Sequence, residues 1–128
     1  MEKQTDLGER IVEFAVRIVK VVGSMPNTLV GRRIGDRFLR RGLSTGANFE
    51  EAQAAESRAD FAHKLQIALK EARESNYWLR VVSRSGTVRA ARLESLIQES
   101  RQLVAMLSKA VARARGVAKG PKPQATSG

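Results

Sequence analysis

The chain has 128 residues, with 23 Lys and Arg against 13 Asp and Glu, a formal net charge of +10, one histidine and no cysteine. This length fits one domain that buries about 68% of the surface its unfolded chain exposes, without covalent or metal staples. The missing cysteines exclude disulfides, thiolate metal centres and cysteine nucleophiles and suit a reducing cytoplasm, while the charge makes a polyanion the first partner to consider.

The start, MEKQTDLGER, lacks the basic and apolar regions of a signal peptide, and Lys20 interrupts the apolar run around Ile18 and Val22, so neither a leader nor a membrane span is expected. Asp6 and Glu9 form a capping signal for a first helix, over about 7–24, in which Leu7, Ile11, Phe14, Ile18 and Val21 or Val22 recur at spacings of three and four. Pro26 disfavours helical geometry at Met25, and Asn27 or Thr28 caps a second helix over about 29–56 with core positions Ile34, Phe38, Thr45, Phe49 and Ala52. Ser57 or Asp60 caps a third, over about 58–85, whose stripe is Phe61, Leu65, Ala68, Ala72 and Leu79. After the turn residues Ser85, Gly86 and Thr87, a fourth spans about 88–115 on Leu93, Leu96, Ile97, Leu103, Val104, Leu107 and Val111. Residues 116–128 read as a disordered basic tail beyond a single domain over 1–115. Four such helices joined by short turns predict an all-α, up-down-up-down antiparallel four-helix bundle.

The second helix raises a difficulty, because GRRIGDRFLRRGLSTGANFEE contains four glycines and five arginines. Each interior glycine costs roughly 1 kcal/mol of helix propensity. At 100° per residue, Gly31, Gly35, Gly42 and Gly46 fall within about 60° on the side of Phe38 and Phe49, so close packing is expected there, leaving room for side chains such as Phe14 or Leu65. A helix-turn-helix broken at Gly42 or Gly46 is the competing arrangement; the apolar rhythm from Ile34 to Ala52 crosses both glycines without a phase change and favours a continuous helix.

Opposite the glycines, Arg40, Ser44, Asn48 and Glu51 form a polar line, and the third helix has a second face with Ile67, Trp78 and Val81 around Glu71 and Glu74. The expectation is an ordered network coupling Arg40 to Glu51 or Glu74, beside a subunit interface anchored by Trp78; the alternative is a solvated face with weak pairs. Residues 29–48 carry Arg32, Arg33, Arg37, Arg40 and Arg41 against Asp36 alone, and the third helix adds Arg80 and Arg84. Arg32, Arg33, Arg37, Arg41, Arg80 and Arg84 are therefore the candidate phosphate contacts, through guanidinium forks that suit phosphate oxygens with little sequence preference. His63 has no second ligand or triad partner, Glu50 and Glu51 point to different faces, and the glycine pattern follows no strand; no catalytic residue, metal site or cofactor is expected.

Residues 40–79, RRGLSTGANFEEAQAAESRADFAHKLQIALKEARESNYWL, resemble the signature of the 23S ribosomal RNA intervening-sequence proteins through Arg40, Ser44, Asn48 and Glu51, then Phe61, Glu71, Glu74 and Tyr77-Trp78-Leu79. The resemblance spans residues 7–113 in layout and implies a four-helix bundle assembled as a ring-like homopentamer. A more distant likeness is to the accessory variability determinant of diversity-generating retroelements, a basic pentamer that works with a reverse transcriptase. The expected function is a non-enzymatic, cytoplasmic, oligomeric bundle that binds nucleic acid, RNA before DNA, through backbone phosphates. Its rival is an adaptor that recruits a protein such as a reverse transcriptase or nuclease.

Overall fold

The computed structural model describes residues 2–116, with side chains from Leu7 onward; the predicted tail beyond Gly116 lies outside the described residues. Four helices follow one another: α1 (Glu2–Gly23), α2 (Leu29–Gln53), α3 (Arg58–Ser85) and α4 (Ala90–Ala114). Each packs on its neighbour in sequence and α4 returns to α1, which closes an all-α, up-down-up-down bundle. The core runs along its axis through Ile11, Phe14, Ile18, Phe38, Leu65, Leu79, Leu93, Leu96, Leu103 and Leu107, all essentially sealed from solvent. Burial of each such side chain contributes roughly 1.5–3 kcal/mol.

The helix ends follow from local chemistry. α1 begins at Glu2 rather than near residue 7, because Glu, Lys and Gln continue a helix and neither glycine nor proline precedes Leu7, so Glu9 lies well inside the helix. It ends with tight bonds from Ser24 N to the Val21 carbonyl and Met25 N to the Val22 carbonyl, just ahead of Pro26. Thr28 Oγ1 accepts from Gly31 N and caps α2; Ser57 Oγ accepts from Asp60 N and caps α3. α2 stops at Gln53, three residues short of the expected end, since Ser57 needs extended backbone (φ −152°, ψ 165°) and the apolar rhythm ends at Ala52. Gly86 closes α3 at φ 75°, a left-handed conformation suited to glycine. Val88 sits in the core ahead of α4 as an anchor for the last turn, so the helix itself begins two residues later than expected.

α2 runs unbroken through Gly42 and Gly46, which excludes the helix-turn-helix. The glycines do face the packed side, but neither Phe14 nor Leu65 fills the space they leave: Gly31 and Gly35 meet the α1–α2 turn and Val22, and Gly42 and Gly46 meet α1. A Cβ on Gly42 would stand 2.5 Å from Ile18 Cδ1, and one on Gly46 3.2 Å from Ile11 Cγ2. Close approach to these β-branched side chains offsets the weak propensity of α2 with dispersion contacts.

Candidate functional site

Antiparallel packing brings the middle of α2 against the middle of α3. Glu71 and Glu74, three residues apart, project from one α3 face toward α2. Arg41 meets both: its Nη1 donates to Glu71 Oε1 at 3.2 Å, and its Nε lies 3.0 Å from Glu74 Oε1. Glu71 is the buried member, its side chain 9% exposed against 38% for Arg41. The Glu74 contact is one of charge, since Glu74 Oε1 is buried yet accepts no hydrogen bond among the described residues. A desolvated carboxylate held by a guanidinium makes a clasp between the two helices.

Above the clasp lies a groove of about 540 Å³ lined by Asp36, Arg37, Arg40, Arg41, Glu74, Tyr77 and Trp78. Tyr77 is 52% exposed and meets Trp78 edge-on at 5.2 Å between ring centroids, while Trp78 is half-buried against the core. The three arginines of this groove are matched by Asp36, Glu74 and the Glu71 behind them, so it carries little net charge. Arg40 and Arg41 each have an acid beside them and Arg37 does not, so an anion gains less here than from a cluster of cations with no acid nearby.

The expected polar line forms, but its couplings differ. Arg40 does not reach Glu51 or Glu74; it points outward to Asp36 at 3.7 Å, with both side chains about two-thirds exposed. Ser44 Oγ donates to the Arg40 carbonyl, Asn48 Nδ2 donates to the Ser44 carbonyl, and Glu51 receives Lys64 Nζ at 3.3 Å. The interhelical role falls to Arg41, because one residue further along a helix is a 100° rotation, which turns position 41 toward α3. Among the predicted phosphate contacts, Arg41 is thus committed to carboxylates. Arg33, Arg37 and Arg84 make no ion pair or hydrogen bond among the described residues, and Arg32 and Arg80 donate only to the amide oxygens of Asn27 and Asn76.

An apolar strip escaped the sequence reading. Val12, Val16 and Val19 on α1 and Leu43 on α2 are each 41–48% exposed and border a shallow groove lined also by Ala15 and Gly46. Its signal is the spacing of four and three from Val12 to Val19, a second stripe beside the stronger core stripe of α1. His63 is exposed, no group of three metal-ligating side chains occurs among the described residues, and none of their helices is long and apolar enough to cross a membrane.

The family model described as 23S rRNA-intervening sequence protein matches residues 3–109, which include the whole Arg40–Glu51 line and the Arg41 clasp. The chain belongs to the 23S rRNA-intervening sequence protein family. Its fold is also similar to the crystal structure of a protein of unknown function from the S23 ribosomal protein family of Bacteroides thetaiotaomicron. The two share 38% identity over 82% of this chain and 97% of that one, with a TM-score of 0.73. No curated protein matches the chain. In this member of the intervening-sequence protein family, the residues that carry the resemblance divide by role: Glu71 and Glu74 tie α3 to α2 through Arg41, whereas Arg40, Ser44 and Asn48 lie along the outer side of α2.

Proposed function

We propose that this intervening-sequence family protein is a non-enzymatic, cytoplasmic, oligomeric bundle that binds nucleic acid, RNA in preference to DNA, through backbone phosphates. The observation that carries this reading is how the charges are spent. Among the described residues, Asp36, Glu51, Glu71, Glu74 and Glu99 each meet a basic side chain of the bundle and Glu9, Glu13, Glu50, Glu56, Asp60 and Glu94 meet none, while Arg33, Arg37 and Arg84 stand free and the chain keeps a net charge of +10. Free guanidinium groups on a rigid helical surface displace the counterions of a phosphate backbone and read no base edges. In a titration of labelled single-stranded RNA, log affinity is expected to fall linearly with log salt. Absence of binding near ~100 mM salt, where a multi-phosphate contact persists, refutes the reading.

Self-association is supported by the strip of Val12, Val16, Val19 and Leu43, an exposed apolar surface of the kind that marks interfaces. A second copy of the chain is its proposed occupant, with five subunits the number implied by the family resemblance. On this reading the subunit contact lies on α1 and α2, apart from the Trp78 face that the sequence also offers. Light scattering should give a multiple of 14.1 kDa that falls on Val16→Glu and is unchanged by Trp78→Phe. A concentration-independent monomer refutes it. The same strip would serve an adaptor that recruits a reverse transcriptase or nuclease, and a protein capture that survives nuclease treatment would favour that role.

A further inference from the structure

On its other flank α3 meets α4, and there the charges are arranged differently. Arg73, Asn76, Arg80, Arg101 and Val104 line a groove of about 260 Å³ with no carboxylate among them. One of its guanidinium groups is held in place. Arg80 Nε donates to Asn76 Oδ1 at 2.9 Å, Asn76 Nδ2 donates to Ser100 Oγ at 2.8 Å, and Ser100 Oγ donates to the Ile97 carbonyl at 2.6 Å. Ser100 is fully buried, so the relay is anchored in the core and turns the amide oxygen of Asn76 toward Arg80. Fixing Nε leaves the four remaining N–H donors of Arg80 available, in the planar fork that matches phosphate oxygens. Arg73 and Arg101 are exposed and make no bond to another described residue.

We propose that this α3–α4 groove is the principal phosphate-binding site of the protein and takes a phosphodiester of the nucleic-acid backbone. The inference rests on the nucleic-acid reading above and moves its centre away from α2. Three arginines line this groove with no carboxylate among the lining residues, whereas the larger α2–α3 groove balances its arginines. Pockets for small molecules span roughly 300–1,000 Å³; this one is smaller, which suits one group of an extended chain rather than an enclosed metabolite. Like charge among Arg73, Arg80 and Arg101 is a standing repulsion that a bound phosphate relieves.

The test measures fluorescence anisotropy of a fluorescein-labelled single-stranded RNA across salt, with the full chain and three variants checked for helicity. Arg73→Gln with Arg101→Gln removes two free charges and is expected to weaken binding about tenfold or more and to flatten the salt slope by about 1–1.4. Arg33→Gln with Arg37→Gln, equal in charge change, is expected to weaken it less than about threefold. Asn76→Ala keeps every charge, so it should lower affinity while leaving the slope intact; unchanged affinity would overturn the positioning role of the relay. Equal losses from the two arginine pairs, or the larger loss from the α2 pair, overturn the groove as the principal site and leave nucleic-acid binding standing. Failure of the unmodified chain to bind removes both.

Discussion

Arg41→Ala tests the clasp between α2 and α3, and its cost follows from which member is buried. Truncation leaves Glu71, 91% buried by its side chain's 9% exposure, with no cation beside it. Removing one partner of a fully buried pair costs about 3–5 kcal/mol, because the survivor keeps its desolvation penalty. Arg41 is itself 38% exposed, so water reaches part of the site once the guanidinium is gone, and the Glu74 contact, 38% exposed at both ends, adds about 1 kcal/mol at most. The expected loss is therefore about 2–3 kcal/mol. In urea unfolding, with a slope of about 1–3 kcal/mol/M, the midpoint should fall by roughly 1–2 M at unchanged slope. Arg41→Met with Glu71→Leu removes both charges and should return to within about 1 kcal/mol of the starting stability. Arg40→Ala, one residue away on the exposed side, should cost no more than about 0.5 kcal/mol. A loss below about 0.5 kcal/mol for Arg41→Ala would mean that Glu71 is not held by this guanidinium, and the clasp would fail as an account of the signature.

Glycine substitutions in neighbouring helices should have opposite signs. Gly42→Ala places a methyl against Ile18 and is expected to destabilise by about 1 kcal/mol net of the propensity gained, whereas Gly23→Ala meets nothing within 4 Å and should stabilise by up to about 0.5 kcal/mol. Thermal melts of the two variants decide it, and stabilisation by Gly42→Ala would refute the close-packing account. Ser57→Ala removes the acceptor for Asp60 N and should lower stability by about 1 kcal/mol in the same melts, with no change if solvent serves Asp60 N equally well.

The helices were legible because the periodicity of their apolar residues is also the requirement for packing them: Leu7, Ile11, Phe14 and Ile18 line up in sequence for the reason they meet in the core. The ends were harder to place. Ala54 and Ala55 favour a helix taken alone, yet they make the turn that lets Ser57 cap α3. Glycine packing was readable as a face but not as partners, since the phase of α2 says nothing of the register of α1, which sets Ile18 against Gly42. The polar signature shows the same limit at finer scale. Arg40 and Arg41 are adjacent and chemically identical, and which side of α2 faces α3 decides which of them reaches Glu71. Arg73 and Arg101 belong to no dense arginine run, and the groove they line appears only when α4 folds back along α3.

Charge density along a chain is therefore an incomplete guide to where this fold presents positive charge. The run from Arg32 to Arg41 is the most basic stretch of sequence, but Arg41 is held by Glu71 and Glu74, and Arg40 has Asp36 within 3.7 Å. Both acids near the middle of α3, Glu71 and Glu74, face α2, which leaves the groove toward α4 without a carboxylate at the level of Asn76. The two flanks of α3 thus act in opposite senses. One uses its acids to neutralise an arginine and join two helices, and the other uses a buried serine and an amide to orient an arginine that nothing neutralises. Opposite-charge contacts hold a bundle together only where solvent is excluded, and unneutralised cations attract a polyanion only where solvent and ligand can enter. The burial of Glu71 and the exposure of Arg73 and Arg101 meet these two conditions on one helix.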